Sequence, residues 1–143
     1  MKFISSSYDE VTGISKVIVQ HLGVKFTGWA HVHPEETHPS EFAGCYYAEI
    51  RAEIAALKYE RKLEKNKADM AIDFIKSCKN YKNFDNNSNT AKILYRQLSK
   101  RVQKVNNITD EINKRLRQLE MAVKKREITL KVIERRKRTK EKN

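Results

Sequence analysis

Along residues 24–32 the chain alternates. Phe26, Gly28, Ala30 and Val32 fall on one side, and Lys25, Thr27, Trp29 and His31 on the other. A period of two marks a strand with one covered face. Two further strands are predicted before it, at residues 2–7 and at residues 15–20, where Val17, Ile18 and Val19 favour extended backbone. Asp9, Glu10, Val11, Thr12 and Gly13 supply the chemistry of a first turn, and Gly23 marks a second. The pattern therefore predicts a small antiparallel β-meander with Phe26 and Val32 toward its core. Trp29 then lies on the opposite face, to be covered by a helix or a partner, because so small a sheet needs a cover to be stable.

The period changes after His33–Pro39, a loop. Ser40 is suited to cap a helix, with Glu41 favourable in its first turn. Ala43, Tyr47, Ile50, Ile54, Leu57, Arg61, Glu64, Ala68, Ala71, Ile75 and Cys78 then recur at four-three spacing, which predicts a helix over residues 40–79. The row turns polar at Arg61 and Glu64, where Leu63, Met70 and Phe74 begin an offset stripe. The first half is expected to pack on the sheet and the second on another helix. Residues 80–89 hold five asparagines and form a turn, after which Ser88 or Thr90 can cap a second helix.

That helix, over residues 90–136, carries the longest regular pattern. Ala91, Tyr95, Leu98, Val102, Val105, Thr109, Ile112, Leu116, Leu119, Val123, Arg126, Leu130 and Ile133 keep the four-three spacing of a coiled-coil seam. At 1.5 Å per residue it spans roughly 65 Å. Residues 134–143 are mostly charged and are expected to fray, leaving 137–143 as a basic tail. The expected fold is α+β: one domain with a β-sheet head at residues 1–39 followed by two long antiparallel α-helices. The seam is longer than such a head can cover, which predicts a homo-oligomer.

Composition sharpens this division. All four glycines and both prolines lie in residues 1–44. The long helices thus have no glycine from which to build a phosphate-cradling loop, and any anion must be held by side chains. Only 39% of residues are hydrophobic and 34% are charged, which suits helices that each bury a stripe. Residues 1–44 carry three Lys against five Asp and Glu, whereas residues 45–143 carry 27 Lys and Arg against 13 acids. So basic a helical part implies an anionic partner. Cys45 and Cys78 form no metal or disulfide pattern, which suggests a reducing, intracellular setting. No apolar stretch approaches the ~20 residues of a membrane span.

Candidate chemistry is sparse. His31, His33 and Pro34 match the His-x-His-Pro opening of the JAMM metalloprotease motif, but Ala43 stands three residues after Ser40, where that motif has its Asp ligand. His31, His33, His38, Glu35 and Glu36 then read as an ordinary surface loop. No nucleophile–base arrangement is legible, and the expectation is a protein without enzymatic activity, metal or cofactor. Residues 124–142 hold ten Lys and Arg against three acids. They read either as a solvated coiled-coil end or as a salt-sensitive contact to nucleic acid. Around the asparagine-rich break stand Phe84, Asn83, Asn86, Asn87 and Asn89, then Tyr95, Arg96 and Arg101. A ring can stack a base, an amide can read its edge and arginine can grip phosphates. The same residues also read as a turn rich in helix caps.

The order of segments carries a resemblance. Phe3-Ile4-Ser5-Ser6-Ser7-Tyr8-Asp9-Glu10-Val11-Thr12-Gly13 is followed by Lys25-Phe26-Thr27-Gly28-Trp29-Ala30 and His33-Pro34-Glu35-Glu36. Then come Gly44-Cys45-Tyr46-Tyr47-Ala48-Glu49-Ile50-Arg51-Ala52 and Lys82-Asn83-Phe84-Asp85. This resembles the first family of phage Thoeris anti-defence proteins over most of residues 2–100, and weakens along the coiled coil. The resemblance implies a sponge: a phage protein, acting in the cytoplasm of the infected bacterial host, that binds a cyclic ADP-ribose isomer (glycocyclic ADP-ribose) without cleaving it. It also implies homo-oligomers with ligand sites at subunit boundaries and, in some members, separate sites for cyclic trinucleotides. Phe84, Asn86, Asn89, Arg96 and Arg101, with Arg51 as a further candidate, are the ligand-binding residues it suggests. The alternative is a basic coiled-coil nucleic-acid-binding or scaffold protein.

Overall fold

The computed structural model describes residues 1–31, 41–81 and 83–142, without the side chains of residues 41, 42, 128–130, 133, 141 and 142. The expectations for Val32, His33, Glu35, Glu36, His38, Ser40 and Glu41, and for the seam side chains Leu130 and Ile133, lie outside the described residues.

Three strands, β1 (Lys2–Asp9), β2 (Ile14–His21) and β3 (Val24–His31), form an antiparallel sheet in the order β1-β2-β3. Two long helices follow, α1 (Glu41–Lys79) and α2 (Asn89–Lys142). The architecture is α+β. β1 and β2 run past the segments marked by periodicity because pairing continues to Asp9↔Ile14, at the edge of the turn. α2 continues through Lys142, so the segment expected to fray is helical. With neither Gly nor Pro, nothing in it interrupts the backbone.

The turns follow from residue type. His21 pairs with Val24, which leaves Leu22 and Gly23 as a two-residue loop with φ of 53° and 76°. Two left-handed residues make the type I′ turn that matches strand twist. Gly23 adopts this freely, whereas Leu22 does so against its own Cβ. In the first hairpin Gly13 has φ 69° and donates its N–H to the Asp9 carbonyl at 2.7 Å. Asp9 Oδ1 accepts from Val11 N at 2.9 Å and Thr12 N at 3.5 Å. Donation by the Val11 backbone, then by the Thr12 side chain, holds the Asp9 carboxyl below its usual range.

The chain divides into two compact units: Met1–Ala56 with Asn113–Asn143, and Leu57–Ile112. The first contains the sheet, the start of α1 and the end of α2. Its core joins Val17, Val19 and Ala30 of the sheet to Ala48, Ala52 and Ala56 of α1, with Phe26, Cys45 and Tyr47 packed alongside. The sheet thus meets an alanine row at four-residue spacing. The four-three row beside it, Ile50 and Ile54, is also buried. Small residues bring helix and sheet close together: a Cβ built at Gly28 would overlap the Ala48 carbonyl and the Ala52 nitrogen. One at Gly44 would overlap Ser15 Oγ, which is buried without a hydrogen-bond partner among the described residues. On the α1–α2 side, Arg115 Nε meets Glu53 Oε2 at 2.8 Å and Tyr47 Oη donates to the Ala122 carbonyl at 3.3 Å.

The second unit contains the end of α1, the turn and the start of α2, again antiparallel. Its buried residues are Leu57, Glu64, Ala68, Ile75, Ala91, Ile108 and Ile112. The polar position Glu64 stays inside because it is doubly paired, to Lys104 at 3.1 Å and Lys67 at 3.3 Å. Burial raises the Glu64 carboxyl, but the hydrogen bonds and charges of the two lysines outweigh it, so the group lies below its ordinary value. The offset stripe does not pack as expected: Met70 and Phe74 are 71% and 59% exposed. The main row continues through Ala68 and Ile75 once Glu64 is neutralised, so that row and not the offset one faces inward.

Candidate functional site

The asparagine-rich turn is stitched together by its own side chains. Asn87 N donates to Asp85 Oδ1 at 2.9 Å, and Ala91 N donates to Ser88 Oγ at 3.2 Å, which makes Ser88 the N-cap of α2. Tyr95 Oη donates to Asn86 Oδ1 at 3.1 Å, and Lys79 Nζ lies 5.5 Å from the centre of the Tyr95 ring. Asn86 therefore serves to close the turn, and Phe84 is half-buried beside it. Asn89 and Arg96 are exposed on the first turns of α2. Arg51 belongs to the first unit, where its Nη1 donates to the Trp29 carbonyl at 2.6 Å. It satisfies an acceptor on β3, an edge strand of the sheet.

Arg101 has a different setting. It lines an open cleft of about 310 Å³ in the second unit, together with Lys67, Met70, Ala71, Phe74, Ile75, Leu94 and Gln97. Lys67, Met70, Ala71 and Phe74 recur at three- and four-residue intervals on α1, and Leu94, Gln97 and Arg101 do the same on α2. Two helix faces therefore supply all the walls. The floor is apolar. Phe74 offers a ring to a planar group, and Gln97 offers both a donor and an acceptor. Arg101 makes no ion pair among the described residues and offers a planar, permanently charged fork. Lys67 stands at the margin, sharing Glu64 with Lys104.

The six residues named from the sequence are thus distributed. Phe84 and Asn86 belong to the turn, Asn89 and Arg96 to the exposed surface of α2 and Arg51 to the sheet edge. Arg101 alone lines the cleft. The residues missed were Phe74, Gln97 and Lys67. The available signal was the offset stripe of Met70 and Phe74: two large apolar residues off the main row, in a helix whose main row is already sufficient, mark a second surface.

Among the described residues, no three His, Cys, Asp or Glu side chains stand together as a metal site. Among the same residues no helix is long and apolar enough to cross a membrane. No protein-family model, curated protein or solved structure matches the chain.

Proposed function

We propose that the protein is a sponge that binds a cyclic ADP-ribose isomer without cleaving it and so blocks Thoeris signalling. The observation that carries this reading is the cleft of the second unit, which places a ring, an amide and an arginine on one apolar floor. Such a ligand carries an adenine and a pyrophosphate. Phe74 stacks the base, Gln97 reads its edge, and Arg101 takes the phosphates through charge-assisted hydrogen bonds. The segment resemblance over residues 2–100 points the same way.

The cleft is at the small end of the ~300–1,000 Å³ usual for ligand pockets. A second copy of the chain supplies the missing walls, consistent with the partly exposed seam residue Val102 on α2 in the same unit. Sequestration at nanomolar concentration needs about −12 kcal/mol. Enclosure between preordered helices favours it, because fewer groups lose freedom on binding. Cyclic trinucleotides are a second ligand class for the same oligomer.

The test is capture and release. The protein is mixed with the cyclic ADP-ribose isomer, filtered, and the retained complex is heat-denatured. The expected result is depletion of free ligand followed by recovery of the intact molecule. Absence of depletion, or recovery of a cleaved product, overturns the proposal.

The alternative, a basic coiled-coil nucleic-acid binder, draws on the helical continuation of α2, which displays Arg135, Arg136, Lys137, Arg138 and Lys140 to solvent. It predicts that truncation after residue 134 weakens salt-sensitive nucleic-acid binding. The sponge reading predicts that the same truncation leaves ligand capture intact.

A further inference from the structure

The sheet has a second face that the core does not use. Strand register assigns its members in rows. Lys2, Gln20 and Lys25 form one row, Ser5, Ile18 and Thr27 the next, and Ser7, Lys16 and Trp29 a third. The bulge between Phe3 and Ser5 puts the serines of β1 in phase with this face. Trp29 is 53% exposed in the middle of a strand, where an indole normally has a cover. Lys16 lies directly opposite it, with Nζ 5.0 Å from the ring centre.

Charge on this face is one-sided. Lys2, Lys16 and Lys25 have no carboxylate partner among the described residues. Asp9 closes the fourth row with Ile14 and His31, and its carboxylate is turned to the Val11 and Thr12 backbone. The face therefore carries three uncompensated cations and one exposed ring: Lys16 beside Trp29, and Lys2 and Lys25 two rows away across Ser5, Ile18 and Thr27. A protein partner suited to this face would have to be acidic and would also have to bring a flat group to the indole. A polyanion with unstacked planar groups satisfies both features.

We propose that the outer face of the sheet binds single-stranded nucleic acid, with one base stacked on Trp29 and phosphates held by Lys16 and Lys25. Aromatic side chains on an open sheet are a recurrent platform for unpaired bases. The cation over the indole does not close it: Trp29 stays 53% exposed with Lys16 in place, and the same ammonium is placed to meet the phosphate of the stacked nucleotide. The inference concerns a surface of the first unit and does not rest on the ligand proposed for the second.

Trp29 is the only tryptophan in the chain, so its fluorescence reports on this face alone. The full-length protein is titrated with oligothymidylate, oligouridylate and a DNA duplex. Both single strands are expected to quench the emission, and the arm that quenches at the lower concentration identifies DNA or RNA as the preferred source. The duplex is expected to leave it unchanged. With Lys2 of the same face as a third phosphate contact beside Lys16 and Lys25, the slope in log–log salt dependence is near −2, or about 20-fold weakening between about 50 and 200 mM salt. Trp29→Ala is expected to weaken single-strand binding about tenfold, measured by labelled-oligonucleotide anisotropy, and Trp29→Phe to retain most of it. Lys16→Gln with Lys25→Gln is expected to reduce the salt slope by more than half. Binding without quenching, equal affinity for the duplex, or unchanged affinity of a folded Trp29→Ala variant overturns the proposal. Each of these places nucleic acid elsewhere, for instance on the basic end of α2.

Discussion

The two units hold themselves together in different ways. The first presses a helix onto a sheet through small residues, with Gly28 against the backbone of Ala48 and Ala52 and the alanine row continuing to Ala56. Nothing large fits at Gly28, and the space left between sheet and helix, about 210 Å³ beside Phe3, Val17 and Tyr46, is smaller than the cleft of the second unit. The second has a thinner interior, keeps a carboxylate inside it, and leaves Met70 and Phe74 outside. Close packing makes the first unit a support. Incomplete packing makes the second a place where something else can bind.

The largest expected effect tests the support. Gly28→Val forces a side chain into the α1 backbone and should cost about 3 kcal/mol of stability, since overpacking at backbone cannot be relieved by a rotamer change. Urea denaturation followed by Trp29 emission measures it. Tolerance of valine at this position would mean that helix and sheet are not in close contact.

The next test falls on the second unit. Arg101→Ala should weaken ligand binding by about 2 kcal/mol, roughly thirtyfold, through loss of charge-assisted hydrogen bonds. Being exposed, it should change stability by less than about 0.5 kcal/mol. Calorimetric titration and thermal melting separate the two readouts. Arg96→Ala, on the exposed surface outside the cleft, is the matched control.

Glu64 gives a smaller effect with a defined pH window. Its carboxyl lies below its ordinary value of 4.5 in the folded protein. The native state therefore favours the ionised form, and the resulting stability is fully present above that ordinary value. It is lost as pH falls through the lower folded value. Glu64→Gln should cost about 1 kcal/mol near neutral pH, a modest figure because both lysines remain largely in solvent. The difference between wild type and variant should shrink as the solution is acidified, as urea titrations at about pH 7 and about pH 3 would show. A pH-independent difference would mean that the lysine pairing is not what stabilises the group.

The smallest effect is a gain. Leu22 occupies a left-handed position in the type I′ turn, and asparagine tolerates that conformation better. Leu22→Asn should stabilise the protein by about 0.5 kcal/mol in chemical denaturation. A loss would indicate that the Leu22 side chain makes a contact worth more than the strain.

Much of the fold was legible because the periods were clean. Alternation located the face of β3 correctly, with Phe26 and Ala30 inward and Trp29 outward, and the four-three row found Ile50, Ile54 and Ile75 inside α1. The alanine row that touches the sheet was not legible, because alanine is equally at home on any helix surface. It becomes informative only when Gly28 is placed opposite. Glu64 marked a break in the apolar row, yet its two lysines come from different helices, and their meeting depends on the turn geometry. The site was partly legible for a related reason. Asparagines and a phenylalanine near a break suggest a ligand or a turn with equal chemistry, and Asn86 was already taken by Tyr95. Phe74 was hidden inside a helical stripe that periodicity assigned to packing.

The contrast between support and open cleft rests on Phe74 as the ring that receives the base. Calorimetric titration of wild type and Phe74→Ala with the cyclic ADP-ribose isomer tests it most directly. The account predicts nanomolar binding to the wild type and at least tenfold weaker binding to a variant that melts at the same temperature, since base–aromatic stacking is worth about 1–3 kcal/mol. Equal affinity of the two proteins would contradict it.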